Sequence, residues 1–151
     1  MQVDWFMIAS NLSFLFDKEQ TQKIQLRIDK FKELGHQLTF SASVDGKIID
    51  SFERPLNSKI ERTDEFYEDM FCFCKHNGYG YHPMVSSQSA PYWIENYKWW
   101  KERMDYWDLP IDDLIMMLEV RNADWTPETM AAYSDFMDYL IDDFLERIYR
   151  I

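Results

Sequence analysis

Residues that can bind a ligand lie close together between Ser41 and Pro55, where the sequence reads Ser-Ala-Ser-Val-Asp-Gly-Lys-Ile-Ile-Asp-Ser-Phe-Glu-Arg-Pro. The stretch leaves a predicted strand through Asp45-Gly46, where glycine takes a positive φ without steric penalty. Ser43, Asp45 and Arg54 then lie at the carboxyl end of that strand, which is where α/β sheets bind ligands. The same residues also fit a β-turn without function, because Asp-Gly is a common turn signal.

A second set of polar residues lies within two later predicted strands or directly after them: His82, Glu119, Arg121 and Asn122. His82 and Glu119 are of the types that perform acid-base chemistry, and Arg121-Asn122 at a strand end suits a carboxylate group. The alternative is structural. His82 can be a core histidine with one hydrogen bond, and Glu119 and Arg121, two residues apart on one strand face, can form an ion pair.

The chain has two cysteines, Cys72 and Cys74, within a predicted helix. A spacing of two places them on different helix faces, so we expect packed thiols and no disulfide. Cys72 and His76 share a face and would supply half of a metal site, whereas structural zinc needs about four ligands. No metal site is predicted.

The elements that position these residues alternate between strand and helix. Helices are expected over 18–34, 64–77 and 127–149, and another begins at Tyr92 and is broken by Pro110. The predicted strands are Trp5–Ser10, Gln37–Ser43, Tyr79–Ser86 and Leu114–Arg121, with a helix over Ile111–Leu118 as the alternative for the last. Four strand-helix units predict an α/β fold, either half of a TIM-type barrel or an open parallel sheet, in a single domain over 1–151.

Aromatic residues line one side of the helix that begins at Tyr92. Trp93, Tyr97 and Trp100 share this side with Met104. Such a stripe could hold a ligand between aromatic rings. Aromatic residues at helical spacing more often build a core, because each buries a large apolar area, and we predict a core here.

Composition and charge narrow the function classes. The 151 residues are 46% hydrophobic and 17% aromatic, with no apolar run of about 18 residues, so we expect a folded cytoplasmic protein outside the membrane. The net charge is −11, and residues 101–151 hold 13 acidic against five basic side chains. That surface repels phosphate backbones, so direct nucleic-acid binding is not expected and a basic partner is favoured.

Two segments resemble radical S-adenosylmethionine (radical SAM) enzymes, especially the branch related to SPASM peptide-modifying proteins. Ser43-Val44-Asp45-Gly46, followed by Asp50 and Arg54-Pro55, is similar to a Ser-x-Asp-Gly segment of that family that continues to an aspartate and an arginine. Ser10-Asn11 stands where the family has Thr-Asn-Gly, with Leu12 in place of the glycine. The resemblance extends from about residue 3 to 125.

The resemblance implies a cofactor and a set of site residues. S-adenosylmethionine is the implied cofactor, with Asn11, Ser43, Asp45 and Arg54 as its binding residues. A peptide or protein substrate would meet the second set: His82, Glu119, Arg121 and Asn122. The family's [4Fe-4S] cluster needs three thiolates, so this chain of two cysteines is expected to hold none by itself, and no catalytic residue is assigned. Its four units would match the third to sixth units of the barrel.

Three hypotheses follow from these observations. The chain is a portion of a radical SAM domain, or a relative without the cluster that acts as an acidic interaction module, such as an inhibitor or accessory subunit, on a basic partner. The third hypothesis is an unrelated α/β enzyme that uses His82, Glu119 and Arg121. An open sheet leaves edge strands unpaired, so the Trp5 and Leu114 strands are expected to pair in a homodimer or with a partner chain.

Overall fold

The computed structural model describes residues 4–56, 60–122 and 124–150. It is an α/β structure in which parallel strands alternate with helices. The strands are β1 (Trp5–Ser10), β2 (Gln37–Ala42), β3 (Gly80–Tyr81), β4 (Met84–Val85) and β5 (Glu119–Val120). The helices are α1 (Lys18–Glu33), α2 (Asp50–Glu53), α3 (Asp64–Asn77), α4 (Trp93–Tyr106), α5 (Asp112–Ile115) and α6 (Pro127–Tyr149), with short 3-10 turns at Ser13–Phe16 and Ala90–Tyr92.

The strands form two parallel ladders that meet at one point of the chain. β1 pairs with β2 from Trp5↔Gln37 to Ser10↔Ala42, and β2 pairs with β3. β4 pairs with β5 in the second ladder. The backbone N–H of His82 donates to Ala42 O at 2.8 Å and that of Glu119 donates to Pro83 O at 3.0 Å. The ladders therefore join at His82-Pro83, and the spatial order of the strands follows their order in the sequence.

Helix caps explain why the long helices begin where they do. The Asp17 carboxylate accepts two backbone N–H groups at the start of α1, and the Thr63 hydroxyl accepts the Phe66 N–H at the start of α3. Thr126 and Thr129 form a reciprocal capping box at the start of α6. All three helices match their predicted positions within a residue.

Most of the core lies between the helices and one face of the sheet. The predicted aromatic stripe of α4 is confirmed as core, because Trp93, Tyr97, Trp100 and Met104 are all buried. Phe136 and Leu140 of α6 pack into the same core. The ligand-box alternative for the stripe is excluded, since its side chains have almost no exposed surface.

The predicted strand Tyr79–Ser86 is divided into β3 and β4. Pro83 has no N–H to contribute to a ladder. The next N–H, that of Met84, donates to the Asp45 side chain at 2.7 Å. The division thus has two causes, one visible in the sequence and one created by tertiary contact.

The predicted strand Leu114–Arg121 is mostly wrong. Its first residues belong to the helical turn α5, and only Glu119–Val120 form a strand. Pro110 precedes α5, and Asp112 and Asp113 occupy its first turn, where acidic side chains favour a helix. Leu114 is buried from that turn and lies outside the edge strand in which it was predicted.

The prediction of two packed thiols is half wrong: Cys74 is buried in the core, but Cys72 is exposed. Burial raises the pKa of the Cys74 thiol to about 12. Over residues 4–56, 60–122 and 124–150, no helix combines the length and the apolar character that crossing a bilayer requires.

Candidate ligand-binding site

One face of the sheet carries the helices and the opposite face is open. Side chains alternate between the two faces of a strand, and Phe6 packs on Phe31 of α1, so Trp5 and Met7 point away from α1. By the same alternation His82 lies on the open face next to the helix-facing Tyr81. Aromatic pairs mark the covered face: Phe6–Phe31, Phe40–Phe73 and Tyr81–Trp100.

Asp45 is the centre of a buried polar cluster at the carboxyl end of β2. The residue is fully buried, and one carboxylate oxygen accepts the Met84 N–H. Its backbone carbonyl accepts Asn96 Nδ2 at 2.7 Å and Trp100 Nε1 at 2.9 Å. The loop is thereby attached both to the neighbouring strand and to α4.

Gly46 is the residue that lets α4 approach this loop. Its φ is +116°, a conformation that side chains other than glycine rarely adopt. A Cβ atom at this position would lie 2.5 Å from both Asn96 Oδ1 and Trp100 Nε1. The Asp-Gly pair therefore serves a close packing contact as well as a turn.

Arg54 lies against the second carboxylate oxygen of Asp45. Its Nε is 3.0 Å from Asp45 Oδ2, yet the N–H does not point at that oxygen, which has no hydrogen-bond partner among the described residues. The contact is therefore an ion pair without a hydrogen bond. The predicted neighbours Asp45 and Arg54 are brought together as the sequence indicated.

A second buried carboxylate, that of Asp50, also holds this loop in place. Asp50 accepts the backbone N–H of Asp45 at 2.8 Å and the Tyr67 hydroxyl at 2.8 Å. Arg62, whose side chain is 4% exposed, lies 3.5 Å from Asp50 and donates to Arg54 O at 2.9 Å. This arrangement balances a buried negative charge with a buried positive one, as buried charges require.

Burial dominates the ionisation of these carboxyl groups. It raises the pKa of Asp45 from 3.8 to about 7, although the positive charge of Arg54 opposes the shift. Burial also raises the pKa of Asp50, against the charge of Arg62. The Asp45 carboxyl therefore changes its protonation near neutral pH.

Two of the predicted site residues, His82 and Glu119, contact each other on the open face. His82 Nε2 lies 3.1 Å from Glu119 Oε2, with both side chains partly exposed. Glu119 thus contacts His82, and no ion pair joins it to Arg121 within the described parts of the chain. This arrangement can bind a polar group of a ligand.

A small cavity of about 210 Å³ lies at the carboxyl ends of β4 and β5. Glu53 of α2 accepts the Ser86 hydroxyl at 2.6 Å on one side, and the other Glu53 oxygen is buried without a described hydrogen-bond partner. We call this the carboxyl-end cavity, and its lining is Phe52, Glu53, Ser86, Ser87, Gln88, Arg121 and Asp124. It combines one cation with two carboxylates.

The remaining predicted site residues, Asn11, Ser43 and Asn122, lie just after the ends of β1, β2 and β5. Ser43 is half-buried, and its backbone N–H donates to Ser10 O at 2.7 Å. Asn11 is exposed, and its side-chain oxygen accepts the Ser13 N–H at 3.0 Å. Asn122 is exposed beside Arg121. The predicted roles of these residues in ligand binding stay predictions.

The thiols do not fit an iron-sulfur cluster. Cys72 is exposed on one side of α3 and Cys74 is buried on another, so the two cannot converge on a single cluster, and the sequence has no third cysteine. Among the described residues, no group of three histidine, cysteine or acidic side chains is placed to hold a metal ion.

Several residues of the site were not predicted from the sequence. Asn96 and Tyr67 fix the loop from helices that looked purely structural, and Glu53 and Ser86 line the cavity. One signal was present, because Asn96 is a polar residue on the apolar side of α4, next to Tyr97. The Glu53–Ser86 contact joins residues 33 positions apart, and no local sequence pattern predicts it.

No protein-family model, curated protein or solved structure matches the chain.

Proposed function

We propose that this chain forms the middle of an incomplete barrel of the radical SAM type and binds S-adenosylmethionine at the carboxyl ends of its strands. The observation that carries the proposal is the carboxyl-end cavity, whose lining includes the guanidinium of Arg121 together with the carboxylates of Glu53 and Asp124. An α-amino acid carries one carboxylate and one ammonium group. A guanidinium facing carboxylates is complementary to that pair of charges.

The open sheet supports the same proposal. Parallel strands in sequential order with helices on one face are what a segment of a β/α barrel has. β1 and β5 each pair on one side among the described residues, so further strands, from another chain or another part of the same protein, would complete the barrel. His82 and Glu119 would then face its interior, where a peptide substrate would bind.

The chemistry of the complete family lies beyond this chain. When bound, the [4Fe-4S] cluster of a radical SAM enzyme supplies the electron that cleaves S-adenosylmethionine. The two thiols here do not fit that cluster, so the proposed role of this chain is binding and orientation of the ligand. Asp45 contributes by holding the loop between Ser43 and Arg54 in place.

Calorimetric titration with two ligands tests the proposal. S-adenosylmethionine has the amino-acid group, whereas 5′-methylthioadenosine has a similar nucleoside without it. Arg121→Ala should weaken S-adenosylmethionine binding by about tenfold or more, the loss of a charge-assisted contact, and leave methylthioadenosine binding unchanged. Arg150→Ala, at the exposed residue that directly follows α6, is the matched control. Absence of S-adenosylmethionine binding, or equal affinity in Arg121→Ala and the wild-type chain, would refute the proposal.

A further inference from the structure

The carboxyl-terminal half of α6 has an apolar stripe on its outer side. Ile141, Phe144, Leu145 and Ile148 are between 41% and 54% exposed. Their spacing of three, one and three residues places them on one helix face. Four large apolar side chains half exposed in a row form a continuous surface, which marks an interaction site more often than scattered exposed residues do.

This stripe is separate from the core-facing side of the same helix. Phe136, Leu140 and Asp143 are buried against α4, where the Tyr97 hydroxyl donates to Asp143 at 2.8 Å. The stripe is rotated away from that side by roughly a third of a helix turn, at 100° per residue. α6 thus has two apolar sides, and α4 covers only one of them.

A row of carboxylates borders the stripe. Asp138 and Asp142 lie three residues before Ile141 and Leu145 and are exposed on the side of the stripe away from the core, and Asp135 is exposed about one turn earlier in the same row. The ion pairs of α6 join Arg147 to Asp112 and Asp143, Lys101 to Asp143, and Arg150 to Glu146. None of the three bordering aspartates therefore has a cation partner among the described residues.

The spacing of the apolar residues and the charge of the neighbouring aspartates together indicate what kind of partner this face of α6 binds. Ile141, Phe144 and Ile148 follow the a, d, a positions of a heptad, the pattern with which one helix packs along another. Asp138 then occupies an e position, where charge selects the partner helix. We propose that this face of α6 binds a basic amphipathic helix of another protein, with leucine-like residues in the stripe and lysine or arginine against the aspartates.

A pair of synthetic peptides tests this surface on the full chain. The basic peptide has three heptads with Leu at a and d and Lys at the flanking positions, and its acidic twin has Glu in place of Lys. The basic peptide should bind, with affinity falling steeply as salt rises, and the acidic twin should not. Asp138→Lys with Asp142→Lys should weaken binding at least tenfold.

Matched variants separate this face from the general negative charge. Glu65→Lys with Asp69→Lys reverses two exposed charges at the same spacing on α3 and should have a much smaller effect. Ile141→Gln should weaken binding, whereas Leu26→Gln, at a 69% exposed position of α1, should not.

Three results would overturn the proposal. They are failure of the basic peptide to bind, equal loss in the α3 and α6 charge-reversal variants, and self-association of the wild-type chain that Ile141→Gln abolishes. The last would mean that a second copy of this chain occupies the stripe.

Discussion

At the scale of single residues, Asp45 joins the loop after β2 to both β4 and α4, which its place in an Asp-Gly turn does not predict. Its side chain accepts a hydrogen bond from the Met84 N–H, and its backbone carbonyl accepts hydrogen bonds from the side chains of Asn96 and Trp100 on α4. Burial raises its pKa to about 7, so its folded-state pKa lies above the unfolded value of 3.8. A group of that kind contributes stability that is fully present below its unfolded pKa and is lost as the pH rises through the folded one.

The free energy of unfolding should therefore fall as the pH rises from about 4 to about 7. At about 1.4 kcal/mol per pKa unit, the contribution of Asp45 to this fall is at most about 4 kcal/mol. Asp45→Asn keeps an oxygen for the Met84 N–H and cannot titrate, so its stability should vary less over this range. Urea unfolding at several pH values measures the difference. Asp138→Asn, at an exposed site, should behave as the wild-type chain does, and parallel curves for Asp45→Asn and wild type would contradict the assignment.

Gly46 allows a second test at this scale. Gly46→Ala adds a backbone penalty of about 1–3 kcal/mol for the positive φ and a clash with Asn96 and Trp100 at 2.5 Å. Gly78→Ala, at φ +69° with no atom within 4 Å of the added Cβ, adds backbone strain without a clash. Chemical denaturation should show the larger loss of stability for Gly46→Ala. Equal losses would mean that α4 moves aside without penalty.

At the scale of elements, the contact between α4 and α6 includes one buried hydroxyl beside its packed aromatic rings. Tyr97 donates to Asp143, which also contacts Lys101 and Arg147. Burial disfavours the charge on Asp143, but the hydrogen bonds from Lys101 and Tyr97 outweigh it and lower the pKa of that carboxyl. The contact therefore holds an ionised carboxylate at the edge of the core.

Tyr97→Phe removes the hydroxyl and leaves the ring in place. The expected loss of stability is about 1.5–3 kcal/mol, the contribution of a hydrogen bond to a charged group. Thermal unfolding of this variant beside Tyr149→Phe, whose ring is 81% exposed, measures it. A loss no larger than that of the control would show that Asp143 is held by its cations alone.

Elements with complete local signals were predictable, and those set by tertiary contact were not. α1, α3 and α6 have caps and one-sided apolar patterns, and the structure follows them. β1 and β2 were equally clear. The apolar run after Pro110 has neither a clear helical nor a clear strand periodicity. The surrounding packing therefore determines its division into α5 and β5, and the sequence pattern does not predict it. In the site, the Asp45–Arg54 contact was predictable from one loop, whereas Asn96 reaches Asp45 from α4 and Ser86 reaches Glu53 from the end of β4.

At the scale of the whole molecule, the sheet has two edges with apolar residues on them. Trp5, Phe6, Met7 and Ile8 of β1 are all more than 40% exposed, and no charged residue interrupts them. Val120 of β5 is 44% exposed at the other edge. Edge strands without charge or cover pair readily with other strands.

We expect the chain to associate with itself or with a partner through β1. Met7→Lys places a charge on the edge strand at a position where the side chain is exposed, so it should shift the chain toward monomer without unfolding it. Sedimentation velocity over a range of concentrations measures this, with Leu26→Lys on α1 as the control. A monomer at every concentration in the wild-type chain would contradict self-association through β1 and leave only a partner chain to cover that strand.

The central claim is that S-adenosylmethionine binds at the carboxyl ends of the strands, and a hydrogen-exchange footprint tests it most directly. Backbone amides of the full chain are compared with and without saturating S-adenosylmethionine. We predict slower exchange at Ser86–Gln88 and at Arg121-Asn122, with no change in α6. Unchanged exchange at both segments in the presence of bound ligand, or protection confined to another part of the chain, would contradict the claim.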